Sequence, residues 1–210
     1  MMGLTNEHLA KWLEKTNAKI QENKTFLTNL DQAIGDGDHG INMSRGFDEA
    51  VKKISSTEYK TSSDLLKDWA MTLLSKVGGA SGPLYGTALL KFSMSMKDKE
   101  EVDYSSLTAG IEEGLNGLIQ RGQAQEGHKT MVDVWSPVVT FLKEQPAFNP
   151  EGFKEIAKEA MEKTKDMKAI KGRAAYLKER SIGHLDPGSV SSYYLFSSLA
   201  EVIEEEGVGL

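Results

Sequence analysis

Cysteine is absent from the 210-residue chain, which removes disulfides, thiolate metal sites and cysteine nucleophiles together and suits a reducing compartment. A basic surplus is absent too. Lys and Arg number 25 against 31 Asp and Glu, a net charge of −6 with a pI of 5.3. The broad positive surface that attracts nucleic acid or an anionic membrane is therefore not expected, and an anionic ligand must be gripped locally. No run of about 18 apolar residues occurs, and the opening MMGLTNEHLAKWLEK lacks the basic start and apolar core of a secretion signal. These absences point to a cytoplasmic protein with neither a membrane nor a nucleic-acid partner. Strand-like alternation is also missing, and no segment repeats at a period of about 20 to 50 residues.

What the chain does have is helical spacing of apolar residues, as in Leu9, Trp12, Leu13 and Ile20, or Leu65, Leu66, Trp69, Leu73 and Leu74. The same pattern covers 84–96, 107–119, 132–142, 153–170 and 190–203, so eight or nine helices and no sheet are expected. Stretches rich in Gly, Pro, Ser and Asp separate them, and none is long enough for an interdomain linker. With 39% apolar and 27% charged residues, the expectation is a single all-α domain over residues 1–210.

Four of the connecting stretches carry chemistry. LDQAIGDGDHG places Asp31, Asp36 and Asp38 close together, with no Lys or Arg nearer than Lys24 or Arg45. Carboxylates brought together without a cation raise one another's pKa and destabilise the fold. Mg²⁺ prefers such oxygens and leaves coordination positions open for phosphates. An EF-hand loop starting at Asp36 fails, because Ile41 and Phe47 occupy the positions that need Gly and Glu. A solvated acidic turn, with Asp38 capping a helix that begins near Ile41, is the other reading, and both stay open on spacing alone.

VGGASGPLYGT is a Gly-rich entry into a helix, with Pro83 in its first turn. Free N–H groups at such an entry and the Ser81 hydroxyl suit a phosphate; tight packing through small residues explains the stretch equally well. It is neither a P-loop nor a dinucleotide fingerprint, since GxxxxGK[ST] and GxGxxG are both missing. In RGQAQEGHKTMVDVW, capping accounts for Thr130 and Asp133, while His128 reads as a ligand, a phosphoryl acceptor or a solvated side chain. KGRAAYLKERSIGHLDPGS holds the densest basic stretch, Lys171, Arg173, Lys178 and Arg180, ahead of Asp186-Pro187-Gly188. Arg suits phosphate through its planar fork, although a solvated cluster with Arg180 paired to Glu179 is the alternative. Four loops that each deliver small or acidic residues to a helix start, converging at one end of a bundle, would make a nucleotide phosphate site.

LDQAIGDGDHGINMSRGF, AMTLLSKVGGASGPLYGT, GHKTMVDVWSPVV and GRAAYLKERSIGHLDPGS together resemble the DhaL family, the nucleotide-binding L subunits of bacterial dihydroxyacetone kinase, from about Leu4 to Ile203. The resemblance implies a barrel of eight antiparallel helices with ADP and two Mg²⁺ at one end. It places the metal ligands on Asp31, Asp36 and Asp38, and adjoining nucleotide contacts on His39, Gly40, Ile41 and Asn42. Ala80 and Ser81 fall at the phosphates, Gly122 and Met131 toward the base, and Arg173 with Asp186, Pro187 and Gly188 at the remaining contacts. Arg173 is the implied catalytic arginine.

The implied activity is that of a phosphotransferase subunit. ADP held as a cofactor is phosphorylated by a phosphohistidine carrier, DhaM, and the ATP formed gives its phosphate to dihydroxyacetone on a separate subunit, DhaK. Relatives that use free ATP fuse both portions in a longer chain, so the length favours the phosphotransferase-coupled form over an L subunit using exchangeable ATP, for dihydroxyacetone or in the manner of fatty-acid kinases. A nucleotide-bound partner of a transcription regulator is a further reading. Gly37, Tyr85 and Val132 stand where the family commonly has Ala, Phe and, in some members, Cys.

Overall fold

The helical periodicity materialises in the computed structural model, which describes residues 3–97, 99 and 101–210. Its α-helices are α1 (Asn6–Glu22), α2 (Lys24–Ile34), α3 (His39–Ser55), α4 (Ser62–Lys76), α5 (Ser81–Ser95), α6 (Tyr104–Gly122), α7 (Val132–Glu144), α8 (Pro150–Lys163) and α9 (Pro187–Glu205). Two 3₁₀ segments, Thr164–Asp166 and Arg173–Ser181, lie between α8 and α9. No strand forms among the described residues; Leu4 and Val102 alone make a two-bond extended pair.

The sequence starts these helices with side chains that satisfy their first free N–H groups. Thr61 accepts from Asp64 N, Asp103 from Ser106 N, Asn149 from Gly152 N and Asp186 from Ser189 N. Pro150 and Pro187 follow their caps at the first helical position, where no N–H is needed.

One expected helix is too long. Apolar spacing suggested a helix over 153–170, but α8 ends at Lys163 and the backbone is extended again at Met167. The Thr164 hydroxyl donates to Met161 O (2.6 Å) and accepts from Asp186 N (3.1 Å), tying the break to the start of α9. Beyond the break Ala169 packs with Ala174 against Ile34 of α2 in a small separate cluster, so its burial continues the apolar pattern without continuing the helix.

Helix packing follows a closed cycle: α1 on α3, then each helix on the next through α9, which returns to α1. Helix α2 stands outside this ring of eight, against α3, α9 and α1. Helices α3, α5, α7 and α9 begin at the same end, since Asp38, Ala80, Met131 and Asp186, which precede them, border one space. Inside, Trp12 and Trp69 meet edge to face at 4.9 Å between ring centroids, and Phe47 links Trp69 to Tyr85. Trp135, Phe196 and Phe153 form a second aromatic run. These rings bury large apolar areas and fix the ring's interior. At the end where the four helices start, the interior turns polar.

Candidate functional site

Residues 35–38 turn sharply between α2 and α3, and this turn brings the three aspartates together. One ligand oxygen from each of Asp31, Asp36 and Asp38 lies within 4.8 Å of the others. Asp38 stands at the N-cap position of α3, yet its carboxylate makes no capping hydrogen bond, and α3 begins at His39 rather than Ile41. Asp31 takes over that task by accepting from Asp38 N (2.8 Å) and His39 N (3.1 Å). The expectation that Asp38 is merely a cap is therefore corrected: its side chain is left facing Asp36 and Asp31. Burial, followed by the charge of Asp36, raises the Asp38 pKa.

Folding delivers a cation that the local sequence lacks. Arg173, from the 3₁₀ segment Arg173–Ser181, reaches Asp36 Oδ2 at 2.8 Å. Arg180 does not pair with Glu179 as that reading anticipated; Glu179 pairs with Lys168 at 2.6 Å because the backbone kinks at Lys178.

A cavity of about 360 Å³ opens over this cluster. Asp31, Asp36, Asp38, His39, Ala80, Ser81, Met131, Arg173, Asp186, Pro187 and Gly188 all face it. An adjoining cavity of about 460 Å³ is lined mainly by apolar side chains, including Leu84, Leu118 and Val132, and there Gly122 and Met131 face inward. Ala80, Leu84, Thr130, Met131, Lys171 and Gly172 border both spaces. One chamber that carries the charged side chains, joined to one lined mainly by apolar ones, can take the phosphates and the base of a nucleotide.

The remaining expected residues fall outside these linings. A side chain at Gly40 would meet Lys24 O at 2.2 Å, so its smallness serves the contact between α2 and α3. Ile41 is half exposed. Asn42 is buried, accepts from Arg45 and hydrogen-bonds Asp38, lowering the pKa that burial raises. His128 keeps to its own loop, where its ring accepts from Gln125 N.

Part of the Gly-rich entry packs tightly, and part of it borders the cavity. Gly82 and Gly86 give close packing, since a Cβ would meet Val77 O at 2.2 Å or Leu74 Cγ at 2.4 Å. Gly79 has φ +66, the left-handed conformation that favours glycine, and turns the chain so that Ala80 and Ser81 face the cavity.

Sequence reasoning missed Lys129, which is 1% exposed. Its ammonium donates to Met167 O (3.1 Å) and to Ser181 O, clamping both ends of the segment that carries Arg173. Burial lowers its pKa. The only local signal was a basic residue between His128 and Thr130 in a Gly-flanked loop. Asp133, beyond simple capping, accepts from Gly127 N (2.5 Å) and Thr130 N (2.7 Å) and shapes that loop from within. Burial holds His39 neutral, its pKa lowered to about 4, and pushes the Asp186 carboxyl up to about 6.

Known proteins share this architecture and sequence. Residues 33–201 match the model of the DAK2 domain family. The chain is 50% identical over 191 residues to "PEP-dependent dihydroxyacetone kinase 1, ADP-binding subunit DhaL" of Listeria innocua, covering 91% of this chain and 93% of that one. It is 48% identical over 200 residues to the "PTS-dependent dihydroxyacetone kinase, ADP-binding subunit DhaL" of Lactococcus lactis, covering 95% and 99%. Its fold matches the dihydroxyacetone kinase of C. freundii, solved in complex with AMP-PNP and Mg²⁺, with a TM-score of 0.73 at 24% identity, covering 96% of this chain and 35% of that longer one. Among the described residues, no helix is long and apolar enough to cross a membrane.

Proposed function

Because the chain belongs to the DAK2 domain family, we propose that it is the ADP-binding, DhaL-type subunit of a PEP-dependent dihydroxyacetone kinase. ADP held in the joined cavities is charged by a phosphohistidine carrier of the DhaM type, and dihydroxyacetone on a DhaK subunit receives the phosphate. The observation that carries this reading is the convergence of three carboxylates, the Ser81 entry and Arg173 on one cavity.

The donor set fits magnesium: hard carboxylate oxygens within 4.8 Å of one another, with mutual repulsion that a divalent cation relieves. Asp31, Asp36 and Asp38 would hold two such ions. When bound, magnesium would supply positive charge that offsets the charge of the phosphates.

The chain's own groups do the positioning. Ser81 and the free N–H groups opening α5 hold phosphate oxygens, with His39 behind Ser81. Asp186, Pro187 and Gly188 form the facing wall, and Gly122 and Met131 border the base. Arg173, paired with Asp36 at the cavity, is the catalytic residue that stabilises charge on the transferring phosphoryl group. Asn42 orients Asp38, Gly40 lets α3 approach α2, and Ile41 lies at the rim.

The test is the nucleotide content of the purified, desalted protein in magnesium, read by acid release and chromatography. Near-equimolar ADP, lost in Asp36→Asn, is the expected result. An empty protein that binds ATP freely would assign it to kinases using exchangeable ATP, and a protein that binds neither would overturn the reading.

A further inference from the structure

A chain of buried hydrogen bonds runs from the aromatic interior to the cavity. Trp135 Nε1 donates to Ser192 Oγ at 3.0 Å. Ser192 Oγ lies 2.9 Å from the Tyr85 hydroxyl, which lies 2.7 Å from Ser191 Oγ. Ser191 Oγ is 3.0 Å from His39 Nε2, and His39 Nδ1 is 3.0 Å from Ser81 Oγ, at the cavity wall. Every member but Ser81 is buried.

The indole is the only member that can donate and never accept, so it fixes the direction of the first link. If Ser192 accepts from it and passes its own proton to Tyr85, then Tyr85 donates to Ser191 and Ser191 to His39 Nε2. A neutral imidazole with Nε2 bare carries its proton on Nδ1. Nδ1–H then donates to Ser81, and the Ser81 proton is left pointing into the cavity.

The opposite direction has a different consequence. With the proton on Nε2, His39 donates to Ser191, and Ser191 turns to the carbonyls of Pro187 or Gly188, each 3.1 Å away. Ser81 must then donate to Nδ1, and only its lone pairs face the cavity, where they repel phosphate oxygens.

We propose that Trp135, Ser192, Tyr85, Ser191 and His39 form a one-directional hydrogen-bond relay that presets Ser81 as a donor to a phosphate oxygen, with Tyr85 as its positioning residue. The phenol is the joint. Its bond to Ser191 is the shortest link, whereas its alternative acceptor, Gly188 O, is 3.2 Å away. Both ring nitrogens of buried His39 lie 3.0 Å from a hydroxyl, and burial keeps Tyr85 protonated, as the relay requires. Binding of phosphate at Ser81 rests on the function proposed above; the direction of the relay does not.

The experiment is ¹⁵N NMR of histidine-labelled protein without nucleotide, with the His39 signals assigned from a His39→Gln variant. Wild-type shifts should report the Nδ1–H tautomer; the Nε2–H tautomer would overturn the proposal whatever the protein binds. Tyr85→Phe should move the population toward Nε2–H and weaken ADP binding in magnesium about fivefold, the worth of one hydrogen bond. Ser192→Ala touches neither His39 nor the cavity, so a tautomer shift there, with the thermal midpoint recorded, separates relay from general loosening. Unchanged His39 shifts in both variants would also overturn the proposal. If wild type shows Nδ1–H but binds no ADP, the relay stands and the nucleotide reading falls.

Discussion

The two ends of the interior solve opposite problems. Around Trp12, Trp69, Phe47 and Phe92 the helices meet through rings and aliphatic side chains, and Trp69 crosses both Trp12 and Phe47 edge to face. At the other end, where α3, α5, α7 and α9 begin, the buried residues include His39, Lys129, Asp133, Ser189 and Ser191, each with a hydrogen-bond partner. An apolar contact tolerates neighbours by volume and shape, whereas a buried polar group must find a partner of the right kind or lose its hydration without compensation. Stability should therefore reside in the first region and ligand affinity in the second.

Truncation of the core gives the largest expected effect. Trp12→Ala removes a fully buried ring and the bond from its Nε1 to Leu195 O, and should cost about 4 kcal/mol in urea unfolding. ADP affinity at temperatures where the variant is folded should stay near wild type; a parallel loss would merge the two regions. Arg173→Ala should do the reverse. Its side chain is largely exposed, so unfolding should hardly change, while phosphoryl transfer to dihydroxyacetone falls on the order of 100-fold and ADP retention changes much less. Equal loss of both would make Arg173 a binding residue only.

Lys129→Met probes the boundary between the regions. Filling the volume without the ammonium leaves Met167 O and Ser181 O without their donor, at a cost of about 2 kcal/mol in unfolding, and frees the Arg173 segment. Proteolysis between 164 and 186 should accelerate well before global unfolding; protection there equal to wild type would deny Lys129 its clamping role.

Asp186 provides the smallest and most specific contrast. Its folded pKa near 6 exceeds the unfolded value near 4. The folded state therefore holds this proton more tightly, and the contribution is fully present below about pH 4 and lost as pH rises through about 6. The stability difference between wild type and Asp186→Asn should shrink or reverse with rising pH across that window. A difference that is flat with pH would place this carboxyl in a solvated setting.

The same contrast explains what the sequence made legible. Apolar spacing exposed the helices because burial on one face repeats every three or four residues, and it overreached only at 164–170, where Ala169 is buried against a different neighbour. The aspartate cluster was visible because its members sit within eight positions of sequence. Arg173 was singled out, but its pairing with Asp36 depends on where the 167–186 segment lies in space. The resemblance covered Gly40, whose confinement by Lys24 O is a fact of helix approach and leaves no mark beyond a glycine. Lys129, Tyr85 and Ser191 escaped because a buried polar residue looks, in one dimension, like any other loop lysine or helix serine.

The seam that closes the ring has a practical reach. Lys11, Lys15 and Lys19 of α1 pair with Glu206, Glu205 and Glu201, so the start of α1 lies beside the finish of α9. Helix α9 sets out from the cavity at Pro187 and travels 19 residues, about 28 Å at 1.5 Å each. The start of α1 and the finish of α9 thus lie on the side remote from the cavity. A dye or a surface tether attached beside Lys11 on α1 or Glu205 on α9 would leave the mouth unobstructed.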